Sequence, residues 1–458
     1  MSVSANIRMY NQLDLGDCFL LKFNSGNEEA YMLIDFGSYK AGNEEREQKI
    51  AKNIMETIGD KKLTIVVTHQ HRDHLSGFST AGDILKGKER ELWLSFLDSD
   101  TSSEGAFIRS MTEKYWNKNK KTKKILTDKF TGVPEVDAMI KEKEGYDLFA
   151  EGQTGGKSIT KLLEIVNKKV TFLTPGESFS LPGISSGIKV YVLGPPIKNE
   201  QLEKLNPTKD EAVHGLSLLE FANMDISGDL MLNAIDAYGQ DNSGRESDFP
   251  FSRQFQQQDQ ENNQKKTYED PKNSWRTINY DWLSEIGRLS LHMDRLTNNT
   301  SLVLAFEFTE SKKVLLFVGD AQIGNWQSWF DVKFDNGLTG KDLLSRTVFY
   351  KAGHHSSHNA TLHQGLDLMS DRELTIMIPV NEEVSTNFNF AMLRPDMLKG
   401  YHRKAKGKVL RSDTIEQDGK EFQLDFPFAT RDDMKNELEI FPPDKKPHLW
   451  IELKIDEK

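Results

Sequence analysis

Two apolar runs, DCFLLKF and AYMLIDFG, flank the polar SGNEE within the first forty residues and predict a strand pair joined by a turn. EEREQKIAKNIMETIG follows, with Ile50, Ile54, Met55 and Ile58 at helical spacing. LTIVVTH is a continuous, β-branched run that predicts a buried strand. LSGFSTAGDIL predicts the helix after it, and ELWLSFL the next strand. Farther along, VTFLTPGESFSLPGISSGIKVYVLGPP reads as strands and turns, and TSLVLAFEF and KKVLLFVGD as a strand pair around TESKK. RTVFYKAGHH is a strand ending in histidines, and LTIMIPV the last core strand. Strand and helix periods alternate, which points to an α/β domain.

Two segments break this rhythm. Residues from about 97 to 165 are polar and lysine-rich, with KYWNKNKKTKK at 114–124. They read as a solvated helical insertion, or as a flap whose lysines flank Tyr115 and Trp116 to contact phosphates. The second segment, about 200–297, has a Gln/Asn-rich middle, DNSGRESDFPFSRQFQQQDQENNQKK, that can bury little surface and reads as a mobile loop. Helical periodicity returns at SWRTINYDWLSEIGRLSLHMD. The resulting organisation is one domain over 1–410 carrying both insertions. The charged tail 411–458 is an extension packed on the domain or trailing it.

Charge and cysteine content narrow the setting. A net charge of −11 argues against a broad nucleic-acid-coating face but leaves a local basic groove open. Cys18 is the lone cysteine, so no internal disulfide forms, which suits a reducing compartment. It reads as a small buried strand residue. No apolar run reaches the roughly 18 residues a membrane span needs, and MSVSANIRMYNQLDLGD has no apolar signal core. The expectation is a cytoplasmic protein without a membrane partner.

The chemistry concentrates in THQHRDHLSGF, residues 68–78. His69 and His71 alternate on an extended segment and can face one way, while Asp73 and His74 lie one turn farther on. That pattern suits two neighbouring metal ions, one held by each pair. Imidazole and carboxylate donors suit zinc, manganese or iron. Loops leaving buried strands commonly carry chemistry. His214, His363, His402 and His448 have no clustered partners and read as surface or satisfied core residues. Core packing is likewise the default for the aromatic-rich SWRTINYDWL and GNWQSWF.

HQHRDH matches the H-x-H-x-D-H signature of the metallo-β-lactamase fold. IDFG (34–37) resembles that fold's first motif, FVGDA (317–321) its aspartate motif, and KAGHHSSHNAT (351–361) the motif with its last histidine. Within the fold the chain resembles the hydrolase domain of ComEC-type competence proteins and their soluble relatives. LDLGDCFLL, NNTSLVLAF, FVGD and KAGHHSSH carry this likeness, which covers 10–96 and 298–380. The resemblance implies an αββα sandwich with two large insertions. It also implies two divalent metal ions, zinc or manganese, held by His69, His71, Asp73, His74, Asp320 and one of His354 and His355.

Asp73 would then both ligate and orient the reacting water. Asp35 would support the metal loop, and Asp320 would bridge the ions. Lys351 would stabilise an anionic transition state, or be an ordinary surface lysine. His358 and Asn359 would contact substrate or serve a turn. Most zinc enzymes of the fold carry a third histidine where this chain has Asn298 and Asn299. His292 and Asp294 are possible substitutes, and an amide donor there favours manganese or a loosely held pair. The implied function is a metal-dependent phosphodiesterase or nuclease acting on nucleic acid or nucleotide. One alternative is hydrolysis of a small cyclic nucleotide, lactone or ester. Another is a non-catalytic subunit of a bacterial defence-type complex that docks through the insertions. Neither oligomeric state nor substrate is legible at this level.

Overall fold

Alternation along the strands sets the layers. In β1 (Val3–Tyr10), β2 (Cys18–Ser25) and β3 (Glu28–Phe36), residues such as Met9, Phe19, Leu21 and Ile34 face one side. Tyr10, Leu20 and Leu33 face the other. The computed structural model describes residues 2–40, 42–113, 156–167, 169–205, 296–357, 359–387, 392–414, 434–443 and 447–458, with Asn117 and Lys272. The chain divides into two units. Every element below belongs to Met1–Ser110, Leu148–Phe221 and Asp294–Lys458. The other unit, Met111–Asp147 and Ala222–Met293, falls almost wholly outside the described residues.

Among the described residues the first sheet has eight strands. Their order is β14 (Leu438–Phe441), β15 (Trp450–Asp456), β1, β2, β3, β4 (Leu63–Val66), β5 (Glu89–Ser95) and β6 (Val170–Leu173). The second has seven, in the order β13 (Val409–Arg411), β12 (Thr375–Ile378), β11 (Thr347–Lys351), β10 (Val314–Phe317), β9 (Val303–Phe308), β8 (Ile188–Gly194) and β7 (Ser178–Ser180). Both are mixed. Pairing is antiparallel from β14 to β3 and from β7 to β10, and parallel from β3 to β6 and from β10 to β13.

The sheets share a core in which Phe19, Phe23 and Ile34 meet Phe306, Phe317 and Phe349. Helices cover the outer faces. Ile50, Ile54 and Ile58 of α1 (Glu44–Ile58) and Phe78 of α2 (Arg72–Thr80) pack on the first sheet. Trp326, Leu343, Leu366 and Tyr401 pack on the second. The chain is therefore an α/β protein with two mixed sheets and helices, an arrangement compatible with an α/β sandwich.

Several boundaries differ from the sequence reading. Strand β1 was not expected, because NIRMY mixes charge with its apolar residues. Its arginine is accommodated by an ion pair to Glu452 and a stack on Trp450. Helix α2 begins at Arg72, so Asp73 and His74 are helical, and α3 (Gly82–Leu85) is separate. The helix Gly156–Ile165 lies inside the expected first insertion, yet Leu162 belongs to the core beside α1 and α2. The tail is not merely an appendage. WIELKID alternates, placing Ile451 and Leu453 in the inter-sheet core, and β15 pairs antiparallel with β1. Lysine and glutamate at the intervening positions mask that strand in a composition scan. Trp326 and Trp329 are fully buried core residues whose indole N–H groups donate to Ala360 O and Asn325 Oδ1. The glutamine-rich loop, SWRTINYDWLSEIGRLSLHMD and, apart from Asn117, segment 114–124 lie outside the described residues. No described helix is long and apolar enough to cross a membrane.

Candidate metal centre

Strands β3, β4, β10, β11 and β12 present their carboxyl ends together, where α/β sheets leave loops free to carry polar groups. After β4 the chain bends at His69, and His71, in extended backbone, precedes the first turn of α2. Asp35, near the end of β3, has φ 55°. Its carboxylate accepts from Thr68 N and Thr68 Oγ1, both at 2.7 Å, and from His74 Nδ1 at 2.8 Å. Two glycines permit this packing. A Cβ on Gly37 would lie 2.5 Å from Arg72 O, and one on Gly319 (φ +54°) 2.7 Å from Thr68 Cβ.

The second sheet supplies the opposite wall. Asp320 follows β10, and its N–H donates to Ser301 Oγ at 3.0 Å. Its Oδ1 accepts from Lys351 Nζ at 3.2 Å and from His354 N at 3.0 Å. Its Oδ2 lies 3.3 Å from His74 Nε2. Beyond β11, His354, His355 and Ser356 have φ 42°, 49° and 68°. Left-handed backbone costs a non-glycine residue about 1–2 kcal/mol, so three in succession persist only because the surroundings fix them. This turn aims His355 Nδ1 at Pro379 O, 2.6 Å away, and Nε2 at Asp73 Oδ2, 3.1 Å away.

The hydrogen bonds also fix ring tautomers. The Thr68 hydroxyl donates to Asp35, and the Ser301 hydroxyl donates to Asn298 O. Both oxygens can therefore only accept from His69 Nδ1, at 3.1 and 3.3 Å, which leaves the lone pair of His69 on Nε2. His74 and His355 likewise anchor Nδ1 on an oxygen and turn Nε2 inward. An imidazole held by an oxygen at one nitrogen, with the other turned toward neighbouring ligand-type groups, is the usual arrangement of a metal-ligating histidine.

Electrostatics follow from burial. Burial opposes the His74 imidazolium, yet Asp320, Asp73, Asp35 and Asp17 hold its pKa well above the usual value. His355 is also raised against burial, chiefly by its bond to Asp73. Burial pushes His71 and His354 down to about 4, and His69 well below its usual value. Asp73 is drawn down to about 2, because His74 and His355 outweigh the burial that would raise it. His74 and Lys351 similarly pull Asp320 well below the carboxylate range against burial.

The structure brings Asp73, His74, Asp320 and His355 together, one donor atom from each lying within 4.8 Å of the others. Asp17, Asp35 and His74 form an overlapping group. All are buried, and Asp73 Oδ1, Asp17 Oδ1 and His74 Nε2 make no hydrogen bond. Such buried, unsatisfied donor atoms fit a metal ion, which this cluster can hold. His69 Nε2 and His71 Nδ1 lie 3.0 Å apart but stand outside that four-residue group. Of the two adjacent histidines, His355 is the one in the group.

His354 Nε2 instead lies 3.4 Å from Asn298 Nδ2. Asn299 turns away, donating to Gln201 O and Leu202 O and accepting from Asn325 N. Asn359 accepts from Ser357 Oγ and donates toward Leu205 O, a turn role. Lys351 is 2 % exposed, and its ammonium meets Asp17, Gly319 O and Asp320. It is not a surface lysine, and its three hydrogens are committed within the protein rather than offered to a substrate. His358, His292 and Asp294 lie outside the described residues. His363 pairs with Asp367 on the exposed face of a helix whose Leu366 lies in the core, and His402 and His448 are buried away from the cluster. Cys18 is buried, and burial pushes its thiol well up, against thiolate chemistry.

Sequence reasoning did not assign Asp17, Thr68 or Ser301 to the site. Asp17 sits in the quoted LDLGDCFLL, but it is one of 70 acidic residues with no histidine beside it. Its peptide N–H donates to Asp73 O at 3.0 Å, a contact only the folded chain reveals.

One neighbour has a pH signature. Gln70, between the two histidines, donates to Asp98 Oδ1 at 2.7 Å. Burial raises half-buried Asp98 to about 6. A carboxyl raised in the fold stabilises it below the unfolded value near 4 and loses that contribution as pH rises through about 6. Asp98→Asn is therefore expected to stabilise the protein by about 1–2 kcal/mol at pH 8, allowing for partial solvent access. The gain should vanish near pH 4. Equal melting shifts at both pH values would refute the assignment. No family model and no curated protein matches the chain.

Proposed function

We propose that the chain is a metal-dependent hydrolase of metallo-β-lactamase fold and that its substrate is a phosphodiester in nucleic acid or nucleotide. The observation that carries this reading is the buried convergence of Asp73, His74, Asp320 and His355. The HQHRDH, FVGDA and KAGHHSSHNAT motifs resemble those of that fold and meet at one place. In this reading Asp73, His74, Asp320 and His355 hold one divalent ion, zinc or manganese. His69 and His71 would help to hold a second. A divalent ion held there would supply Lewis acidity and water activation near neutral pH.

The protein's own groups do the rest. Asp73 Oδ1 has no hydrogen bond, and Asp73 would both ligate the ion and orient the reacting water. Asp35 fixes the His74 ring, and Pro379 O fixes the His355 ring, so both face inward without rotamer search. His354, neutral at pH 7 with Nδ1 unbonded, provides a polar contact beside Asn298.

The test is incubation of purified wild type and Asp73→Ala with labelled single- and double-stranded DNA and RNA, with manganese or zinc added. Cleavage by wild type alone, and a loss of at least about 100-fold in the variant, is expected. Metal bound without nucleic-acid cleavage would redirect the search to cyclic nucleotides and other small esters. No bound metal and no cleavage would end the enzyme reading.

A further inference from the structure

Lys351 is the one ammonium set among the centre's carboxylates in the described structure, and its neighbours are unusual for a lysine. Its Nζ forms an ion pair with Asp17 Oδ2, donates to Gly319 O at 2.7 Å and reaches Asp320 Oδ1 at 3.2 Å. Asp17 and Asp320 are 1 % exposed, so neither carboxylate has water to balance it. Charge taken out of water must be matched nearby or it strongly destabilises the fold. The strand β11 delivers this lysine from the same turn that delivers His355, and β10 delivers Asp320 beside it.

We propose that Lys351 is a fixed cation of the centre: a positioning residue that holds Asp17 and Asp320 in place with no ion bound and keeps Asp320 Oδ1 out of the ligand cluster. This rests on the metal-centre reading given above. Two consequences follow from the geometry. The carboxylates stay arranged in the metal-free protein, so the fold does not depend on metal. Lys351 also restrains affinity, because a fixed positive charge next to a divalent ion repels it and occupies two acidic oxygens that would otherwise face it. A residue with only a packing role would act in the opposite direction, since its loss would loosen the centre and weaken binding.

The experiment compares wild type, Lys351→Met and Lys351→Met/Asp17→Asn. Each is titrated with manganese chloride by calorimetry, and melted in chelator and in excess manganese. Lys351→Met is expected to melt about 10 °C lower in chelator, the scale of a broken buried ion pair. It should also bind manganese at least about tenfold more tightly, and recover more of its melting temperature on metal addition than wild type does. Lys351→Met/Asp17→Asn removes the stranded charge together with its partner, and should return both quantities toward wild type. Weaker manganese binding by Lys351→Met, or a melting loss that Asp17→Asn does not relieve, would overturn the proposal. If wild type bound no manganese or zinc at all, the metal reading itself would fall. The chelator melting series would then still decide whether Lys351 neutralises Asp17.

Discussion

Asp320→Asn is expected to abolish the proposed hydrolysis and to weaken metal binding by more than about 100-fold, the upper range seen when only a supporting partner of a ligand is lost. The substitution keeps the side chain's size. It also keeps an oxygen able to accept from His354 N and Lys351 Nζ, so the turn after β11 and the position of Lys351 survive. What disappears is the negative charge at the oxygen 3.3 Å from His74 Nε2. That oxygen belongs to the one carboxylate that the second sheet contributes to the four-residue group. Without it, His74 loses the first-ranked of the carboxylates that hold its pKa up, and the cluster loses its anionic bridge between sheets. Metal content by mass spectrometry and calorimetric affinity would be read alongside circular dichroism. Wild-type affinity in a folded Asp320→Asn protein would remove Asp320 from the ligand set.

Metal uptake is expected to release protons and to strengthen with pH. In the metal-free protein His74 and His355 both have raised pKa values, held up against burial by neighbouring carboxylates. Each must give up its Nε2 proton to become a ligand. Where both are protonated, the logarithm of the association constant should rise with a slope approaching about two per pH unit, flattening once the lower of the two has titrated. Stability runs the other way. A histidine raised in the fold stabilises it fully below its unfolded value near 6.5 and loses that contribution as pH climbs through the folded value. The melting temperature in chelator should therefore fall from pH 6 upward while the gain from added metal grows. Calorimetry in buffers of different ionisation enthalpy counts the protons directly. A pH-independent affinity with no proton release would show that these imidazoles are not displaced from their acids.

Much of the core was legible because its strands are buried on both faces or alternate cleanly. LTIVVTH and KKVLLFVGD contain β4 and β10, although each strand is only four residues long and ends before the polar residues of its run. The tail was not, since WIELKID reads as charged until its alternate positions are set against β1. The ligand-type residues were visible as HQHRDH, because three histidines in six positions stand out against 11 in the whole chain. Choosing between His354 and His355 needed the backbone. Three left-handed residues reverse the ordinary relation between neighbours, and no composition rule anticipates that in His-His-Ser. Asp17 was not assigned, and Lys351 was assigned to a transition state rather than to its carboxylate partners, for a related reason. Each is a common residue type whose meaning lies in a partner hundreds of positions away.

That long reach bears on the order in which the molecule is made. His355 and Asp73 are 282 positions apart, and the two come from different sheets. A nascent or half-folded chain can offer His69 to His74, but not the opposing wall. Closing so long a loop is slow relative to local helix and hairpin formation. The complete binding constellation is thus among the last contacts to form, and an ion cannot template the early steps. Were the cluster to take up an ion, occupancy would be a certificate of finished topology: the chain would already have brought its two sheets together.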